Sequence, residues 1–471
     1  MTSDKWGAAL LADIFVKKGL EHIVISPGSR NAPIILSFAQ NPEISAISIV
    51  DERSAAYFAL GMAQQLKKAV AITCTSGGAV LNYAPAIAEA YYQRVPLLVI
   101  TADRPKELID QGDGQTIRQK NVYANYVKAS FEIPGEINNE ADFRRAEQLI
   151  NEAIELTSSP GFGPVHINIP FAEPIYNQEE DLPFDTAITD TGKKHRGLPE
   201  ETLKRLTDTW NKKSKKLIIA GMMDPDPALL SLLRDLAEDP SVVILTETTS
   251  NLMDECSCPC IDRVVHTIDG KETVEFKPEL LVTFGGNVVS KMVKAFLRKY
   301  KPAEHWNIDP VNPDMNTYHC LTDGIKMEPS TFLNLFLPNV NVVESGYLDL
   351  WEARDRRSEL RHREFLRDCD YSDLKVFETL LEFIPANSHI QLGNSTPVRY
   401  AQLFKQKKKF VYHSNRGTSG IDGTVSTAAG AAYVSQAQTT LITGDLGFLY
   451  DSNALMNHHL PANLRIVIIN N

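Results

Sequence analysis

The chain has 471 residues, 43% of them apolar, a formal net charge of −11 and six cysteines. That length exceeds one domain and predicts three, and the apolar share can build sizeable cores. The acidic balance argues against a nucleic-acid partner, and no apolar run is long enough for a membrane span. Met1-Thr2-Ser3-Asp4-Lys5 lacks the basic-then-apolar pattern of a signal peptide, and the cysteines form no disulfide-like framework, so a cytoplasmic protein is expected.

Residues 1–180 alternate strand and helix patterns, with strands near 23–26, 47–50, 69–74, 96–101 and 165–169; such alternation predicts a parallel sheet with helices on both faces. The first strand runs into Ser26-Pro27-Gly28-Ser29-Arg30, a turn followed by a base. The second runs into Asp51-Glu52-Arg53 and an amphipathic helix, Ser54 to Leu66, with Ala55, Phe58, Ala59 and Met62 on one stripe. Glu52 therefore stands where a strand ends and a helix begins, a position suited to a site residue. Pro174 to Gly197 reads as a linker. A second α/β unit, 195–340, has strands at Leu217–Gly221, Val242–Leu245 and Leu280–Gly286. Its Cys256-Ser257-Cys258-Pro259-Cys260 run is too tightly spaced for one tetrahedral zinc and is expected to be a reduced cluster in a loop. From Asn341 to about Ser372 the chain is a charged connector. There Glu352/Arg356 and Glu359/Arg363 are i,i+4 partners, which predicts a solvated helix. A third unit, 373–471, has strands near 389–392, 410–413, 440–443 and 464–469.

The third unit carries the strongest chemical signal. Gly444-Asp445-Leu446 closes one apolar strand, and Asn470-Asn471 closes the next. If these strands are parallel neighbours, a carboxylate and an amide meet at the sheet edge where open α/β folds bind ligands. Their hard oxygens suit Mg²⁺, which usually keeps positions for phosphates and water. Asp445 and Asn471 are thus the expected metal ligands of a diphosphate cradle. A helix opening near Tyr450-Asp451 would aim amides at the phosphates. Two ordinary strands with polar ends are the alternative.

This arrangement resembles the diphosphate motif of thiamine-diphosphate enzymes, with Leu446 where their third motif residue is usually Gly. Such enzymes need one carboxylate on the aminopyrimidine ring, and Glu52 matches it. A carboxyl held in an apolar cleft can share a proton at neutral pH. Ile72 to Ala79, Thr101-Ala102-Asp103-Arg104-Pro105, Gly114 to Gln119 and Ser414 to Gly423 narrow the resemblance. With the Pro27–Arg30 and Asp51–Arg53 segments they are similar, over essentially the whole chain, to the 2-succinyl-5-enolpyruvyl-6-hydroxy-3-cyclohexene-1-carboxylate synthase family of menaquinone biosynthesis. Gly114 departs from that pattern, which often has Asn there.

The resemblance implies an α/β fold of three doubly wound parallel-sheet domains, the third incomplete: a pyrimidine-binding domain at 1–180, a central domain at 195–340 and a diphosphate-binding domain at 373–471. It implies thiamine diphosphate with Mg²⁺ or Mn²⁺, and decarboxylation of 2-oxoglutarate with addition of the succinyl carbanion to isochorismate. Both substrates are dianions, which explains a need for several fixed arginines. By resemblance Arg30, Arg104 and Gln115 sit on the acceptor side, while Lys291, Ser395, Arg399 and Arg416 hold the donor's distal carboxylate. The cofactor would lie against Ser26, Pro27, Gly28, Ser76, Gly77, Asn82, Ser419, Gly420, Ile421, Gly444, Asp445, Leu446 and Phe448. Ile421 would be the wedge that bends it, and Phe448 and Leu449 would wall the same cavity.

A homodimer or dimer of dimers is implied, with Glu52 of one chain serving the cofactor held by the other. The helix Ser54–Leu66 and the segment Tyr83–Tyr92 are candidates for the interface. The family pattern continues past Asn471, so the chain is expected to be a piece of a longer protein. Two alternatives stay open: a related 2-oxoacid carboligase of the acetolactate-synthase kind, and a non-catalytic binding module of the same fold.

Overall fold

A computed structural model describes residues 2–159, 161–179, 182–189 and 197–471. In chain order the strands to residue 189 are β1 (Thr2–Ser3), β2 (His22–Ile25), β3 (Ser45–Ser48), β4 (Val70–Cys74), β5 (Leu97–Asp103), β6 (Ser130–Glu132), β7 (Val165–Pro170) and β8 (Gln178–Glu179). Residues 197–414 add β9 (Lys216–Ala220), β10 (Val242–Thr246), β11 (Leu280–Phe284), β12 (Glu304–Ile308), β13 (Asp323–Ile325), β14 (His389–Leu392) and β15 (Val411–His413). The last are β16 (Thr439–Gly444) and β17 (Leu464–Ile469). The chain forms two compact units: one joins the first 193 residues to 415–470, and the other holds 194–414 and Asn471.

In the first unit, six parallel strands run in the order β3-β2-β4-β5-β7-β6. Alternate residues feed opposite faces, as the period of a strand requires. Ile23, Ile25, Leu98 and Ile100 enter one core with Phe15, Phe38 and Ile150. Val24, Ile72 and Val99 enter the other with Phe58, Met62 and Ile87. The strand order reverses between β2 and β4, which makes the crevice beyond their C-terminal ends the place for a ligand.

The helix Glu52–Leu66 starts two residues before the sequence pattern predicts. Asp51 caps it by accepting from the Ser54 amide at 2.9 Å. Every residue from Ser54 to Gln64 is buried, far more than the predicted stripe. Its second face is covered by the helix Thr424–Tyr433 of the same chain, which also lends Ala429 to that core. Glycines let the two backbones approach. A Cβ on Gly61 would lie 2.0 Å from the Thr427 carbonyl oxygen, and one on Gly430 would lie 1.9 Å from that of Phe58. The face expected for a partner subunit is therefore already occupied within one chain. Tyr91 and Tyr92 of the other candidate segment remain exposed.

The predicted linker Pro174–Gly197 falls partly outside the described residues. Where described it is ordered: β8 pairs antiparallel with β1. Residues 185–189 lie along the helix Glu140–Ser158, where Glu147 accepts from the Ala187 amide and Asn151 from the Thr189 amide.

The second unit has a parallel sheet in the order β10-β9-β11-β12-β13, and β14 pairs in parallel with β15. Its own reversal point, between β9 and β11, is closed by backbone. A Cβ on Gly221 would lie 2.1 Å from the Gly286 carbonyl oxygen. The charged connector is the helix Tyr347–Asp368, and both i,i+4 pairs form, at 2.9 Å and 2.6 Å. It is docked rather than solvated throughout, because Tyr347 and Trp351 are buried and Glu359 also takes Arg263 at 2.5 Å. No helix among the described residues is long and apolar enough to cross a membrane.

Candidate active site

The β2–β4 crevice gathers several predicted residues. Gly28 lies flat on Thr75, whose side chain a Cβ would meet at 2.5 Å. The Gly28 amide donates to Asn31 Oδ1 at 3.0 Å, and Asn31 Nδ2 returns a bond to the Ser26 carbonyl at 3.1 Å. Gly77, at φ +85°, would bring a Cβ to 3.0 Å from Gln115 Cα, so the 76–77 turn and Gln115 touch. Gln119 locks this turn: its Oε1 accepts from the Gly77 amide at 2.9 Å, and its Nε2 donates to the Ala102 carbonyl and Asn168 Oδ1, both at 3.0 Å. Asn31, Gln119 and Asn168 escaped the sequence reading. Buried Gln and Asn have no periodic signature, and only the fold shows what they hold.

Arg30 is partly engaged by the fold. Its Nη1 donates to the Phe171 carbonyl at 2.9 Å and its Nη2 pairs with Glu173 at 2.9 Å. At 5% exposure the guanidinium needs partners, and only Nε is left without a hydrogen bond. Arg104 follows Asp103, whose carboxylate is fixed by Asn168 at 2.9 Å and by the Arg104 amide at 2.8 Å. Burial pushes the Asp103 pKa up despite both bonds. The Nε of Arg104 is buried and makes no hydrogen bond. Arg118 lies on the surface, paired with Asp110 at 2.8 Å.

Glu52 is half-buried, and Asn82 Nδ2 donates to its Oε2 at 3.2 Å. Its neighbours tie it to the end of the diphosphate segment within the same unit. Arg53 donates to the Tyr450 carbonyl at 2.6 Å and covers the Tyr450 ring at 4.7 Å, and Asn453 donates to Asp51 at 2.7 Å.

β16 and β17 pair in parallel, with Gly444 opposite Ile469. Asp445 and Asn470 therefore follow paired strand ends. The helix opens at Asp445 itself and ends at Tyr450, not near Tyr450-Asp451 as expected. Asp451 is instead a buried brace: it accepts from the Ser426 amide at 2.7 Å and Ser426 Oγ at 2.9 Å, and burial raises its pKa to about 6. Phe448 is half-buried. It packs on the core of Val425, Ala428, Leu441 and Ala454. Leu446 and Leu449 stay uncovered, as do Ile421, Leu81 and Val50 beside the other predicted segments. Large apolar side chains left open beside fixed polar groups fit a cofactor with ring systems. Among the described residues no three His, Cys, Asp or Glu side chains group as a metal site.

In the second unit, Asn471 donates to Asp373 at 2.5 Å, which leaves its carbonyl as the oxygen able to ligate. Lys291 opens the helix Lys291–Lys299. A cation at a helix N-terminus opposes the dipole, so Lys291 breaks a local rule without local gain. Ser395 holds φ +71° at the start of the helix Thr396–Ala401. Arg399 lies on that helix, and its Nε is buried without a hydrogen bond. Burial raises the thiols of Cys256 to about 11 and Cys260 to about 12, so both are protonated at neutral pH.

Glu247 was not anticipated, yet it fixes the turn before Lys291. Its oxygens accept from the Val289 amide at 2.7 Å and the Ser290 amide at 2.6 Å. Burial raises its pKa from 4.5 to about 7, Asp262 adds to the rise, and the amides and Lys294 oppose it. Below pH 4.5 the group is protonated folded and unfolded. Between 4.5 and about 7 only the unfolded chain has lost the proton, so stability falls as pH rises, by on the order of 3 kcal/mol in all. Glu247→Gln should flatten this part of the slope in denaturant midpoints measured from pH 4.5 to 7.5. An unchanged slope would reject the assignment. Asp451 acts over its own lower window in both proteins.

Residues 5–122 match the model of the thiamine pyrophosphate enzyme N-terminal TPP binding domain, and residues 193–390 match that of the middle domain of thiamine pyrophosphate enzymes. Parallel sheets and these matches define a thiamine-diphosphate enzyme. Relatives named 2-succinyl-5-enolpyruvyl-6-hydroxy-3-cyclohexene-1-carboxylate synthase come from Flavobacterium psychrophilum, 46% identical, and Flavobacterium johnsoniae, 44% identical; each alignment covers 98% of this chain and 83% of the relative. A third, from Desulfotalea psychrophila, is 41% identical over 98% of this chain and 84% of its own. The chain belongs to this synthase family.

Proposed function

We propose that the protein containing this chain decarboxylates 2-oxoglutarate and adds the resulting four-carbon unit to isochorismate, forming 2-succinyl-5-enolpyruvyl-6-hydroxy-3-cyclohexene-1-carboxylate and CO₂ in menaquinone biosynthesis. The reading is carried by the relatives' name, and one observation agrees with it. Arg30, Arg104 and Arg399 each keep a buried Nε that makes no hydrogen bond. Buried orphan donors on cations are costly, and carboxylates would satisfy them. A substrate pair with four carboxylates fits that need; an acetolactate-type pair supplies fewer.

Bound thiamine diphosphate supplies the electron sink. Glu52 would hold and move a proton at the aminopyrimidine nitrogen, with Asn82 orienting its carboxylate. Ser26, Pro27, Gly28, Ser76 and Gly77 would line the ring side, with Ser419, Gly420 and Ile421 across from them. Gly444, Asp445 and Leu446 would take the diphosphate, and Asp445 with Asn471 would hold Mg²⁺ or Mn²⁺. Arg104 and Gln115 would receive the acceptor, with Arg30 completing that side through Nε; Lys291, Ser395, Arg399 and Arg416 would receive the donor's distal carboxylate. The divisions 1–180, 195–340 and 373–471 and a cytoplasmic location belong to the same proposal.

Full-length protein supplied with thiamine diphosphate, Mg²⁺ and both substrates should release CO₂ as isochorismate disappears. Equal turnover with pyruvate in place of 2-oxoglutarate would sink the assignment. We also place the working site in a homodimer. Asp51 and Arg53 already reach Asn453 and Tyr450 in one chain, so mixing decides between a site within one chain and one shared by two. Inactive Glu52→Gln and Asp445→Ala proteins, refolded together, should regain activity if the site is shared. No recovery in verified mixed dimers would place the site within one chain.

A further inference from the structure

The loop Asn415–Gly423 carries Arg416 and Ile421, and side chains from the first hundred residues grip both its ends. Glu89 is the single charged residue of the helix Ala84–Gln93 and is fully buried. Its Oε1 accepts from the Gly417 amide at 2.6 Å; its Oε2 accepts from the Thr418 amide at 2.7 Å and Thr418 Oγ1 at 2.5 Å. Gln93 Nε2 adds a fourth donor at 2.5 Å. A buried carboxylate is tolerated only when its lone pairs are filled in this way. The loop must come close for that, which explains Gly417: a Cβ there would lie 2.7 Å from the Glu89 carbonyl oxygen and 3.0 Å from its Oε1.

At the other end, the Tyr57 hydroxyl donates to Asp422 Oδ2 at 2.5 Å. Burial, then the Asp422 charge, raises the phenol's pKa, so it remains a donor. Gly423, at φ +69°, lies so close on the Tyr57 ring that a Cβ would fall 2.1 Å from it. Each grip is thus adjacent in sequence to one site residue, Glu89 to Arg416 through Gly417, and Tyr57 to Ile421 through Asp422.

We propose that Glu89 and Tyr57 are positioning residues that set this loop from both ends, Glu89 aiming Arg416 at the donor's distal carboxylate and Tyr57 setting Ile421 against the cofactor. The proposal rests on the function given above. A point charge on a mobile loop binds a carboxylate weakly, whereas a loop fixed before binding loses less entropy on ligation.

The test uses the full-length holoenzyme. Glu89→Gln keeps the shape but turns an NH₂ group toward one of the loop's donors. It should raise KM for 2-oxoglutarate about tenfold, the worth of one charge-assisted hydrogen bond. KM for isochorismate should stay within about twofold. Gly417→Ala pushes the loop off an intact Glu89 and should give the same split, which keeps the proposal testable if Glu89→Gln does not fold. Tyr57→Phe keeps the ring under Gly423 and should weaken thiamine-diphosphate binding, read by fluorescence titration, roughly fivefold. Both KM values rising together in the first two variants, or wild-type kinetics there, would overturn the Glu89 role. Wild-type cofactor titration in Tyr57→Phe would overturn the Tyr57 role. Failure of the wild type to turn over the substrate pair, or an Arg416→Ala variant with unchanged KM for 2-oxoglutarate, would strike the assigned function instead.

Discussion

Glu52→Gln in the full-length protein is expected to bind thiamine diphosphate as the wild type does and to slow proton exchange at its thiazolium carbon by roughly two to four orders of magnitude. General acid–base transfer by a placed side chain is worth about that much. Glu52 opens the helix Glu52–Leu66, and Asn82 holds one of its oxygens from the other side of the crevice. The amide of Gln fills the same volume and can still accept from Asn82, but it cannot take or return a proton. Binding and exchange should therefore separate. NMR of deuterium exchange in bound cofactor measures the second, and calorimetric titration measures the first. Wild-type exchange in the variant would remove Glu52 from the proton path. Joint loss of binding and exchange would mean that it holds the cofactor rather than activates it.

The second large effect concerns the arginines. Arg399→Ala should raise KM for 2-oxoglutarate more than about tenfold and change that for isochorismate little, and Arg104→Ala should do the reverse. Removing one member of a desolvated charge pair costs on the order of 2–5 kcal/mol. Both side chains keep a buried Nε without a hydrogen bond, so each has a donor to offer. Arg30 should respond less cleanly, because Phe171 and Glu173 already use its two terminal nitrogens and its loss would also disturb the fold. Steady-state kinetics with each substrate varied in turn decides the partition. Equal effects of Arg399→Ala and Arg104→Ala on both substrates would dissolve the two-subsite description.

Much of this arrangement follows from local sequence. The apolar runs at 22–25, 70–74, 97–103 and 439–444 are strands because continuous β-branched and aliphatic stretches suit a sheet covered on both faces. The motifs fall at strand ends because that is where a doubly wound sheet opens to ligand. The polar ends at Asp445 and at Asn470-Asn471 were legible in the sequence, where parallel pairing of β16 with β17 stood as a condition that the fold supplies.

Other features depend on partners distant in sequence, and only the tertiary structure could decide them. The helix Ser54–Leu66 reads as amphipathic, but a period cannot announce that Gly61 and Gly430 admit a second helix onto its other face. Arg30 is placed on the acceptor side by resemblance, and only the fold brings Glu173 beside it. Phe448 reads as a cavity wall, and only the fold shows that it also packs on Val425 and Leu441 while staying half-exposed. Glu89 and Glu247 carry no local signal and are buried clamps, because burial of a carboxylate is set by which backbone amides the fold delivers to it. The sequence by itself determined the strands and the sheet class and proposed the residues for the chemistry, since these depend on near neighbours. The tertiary structure decided which charges are already spent on the fold and which remain for a ligand, since that depends on contacts between segments up to hundreds of residues apart.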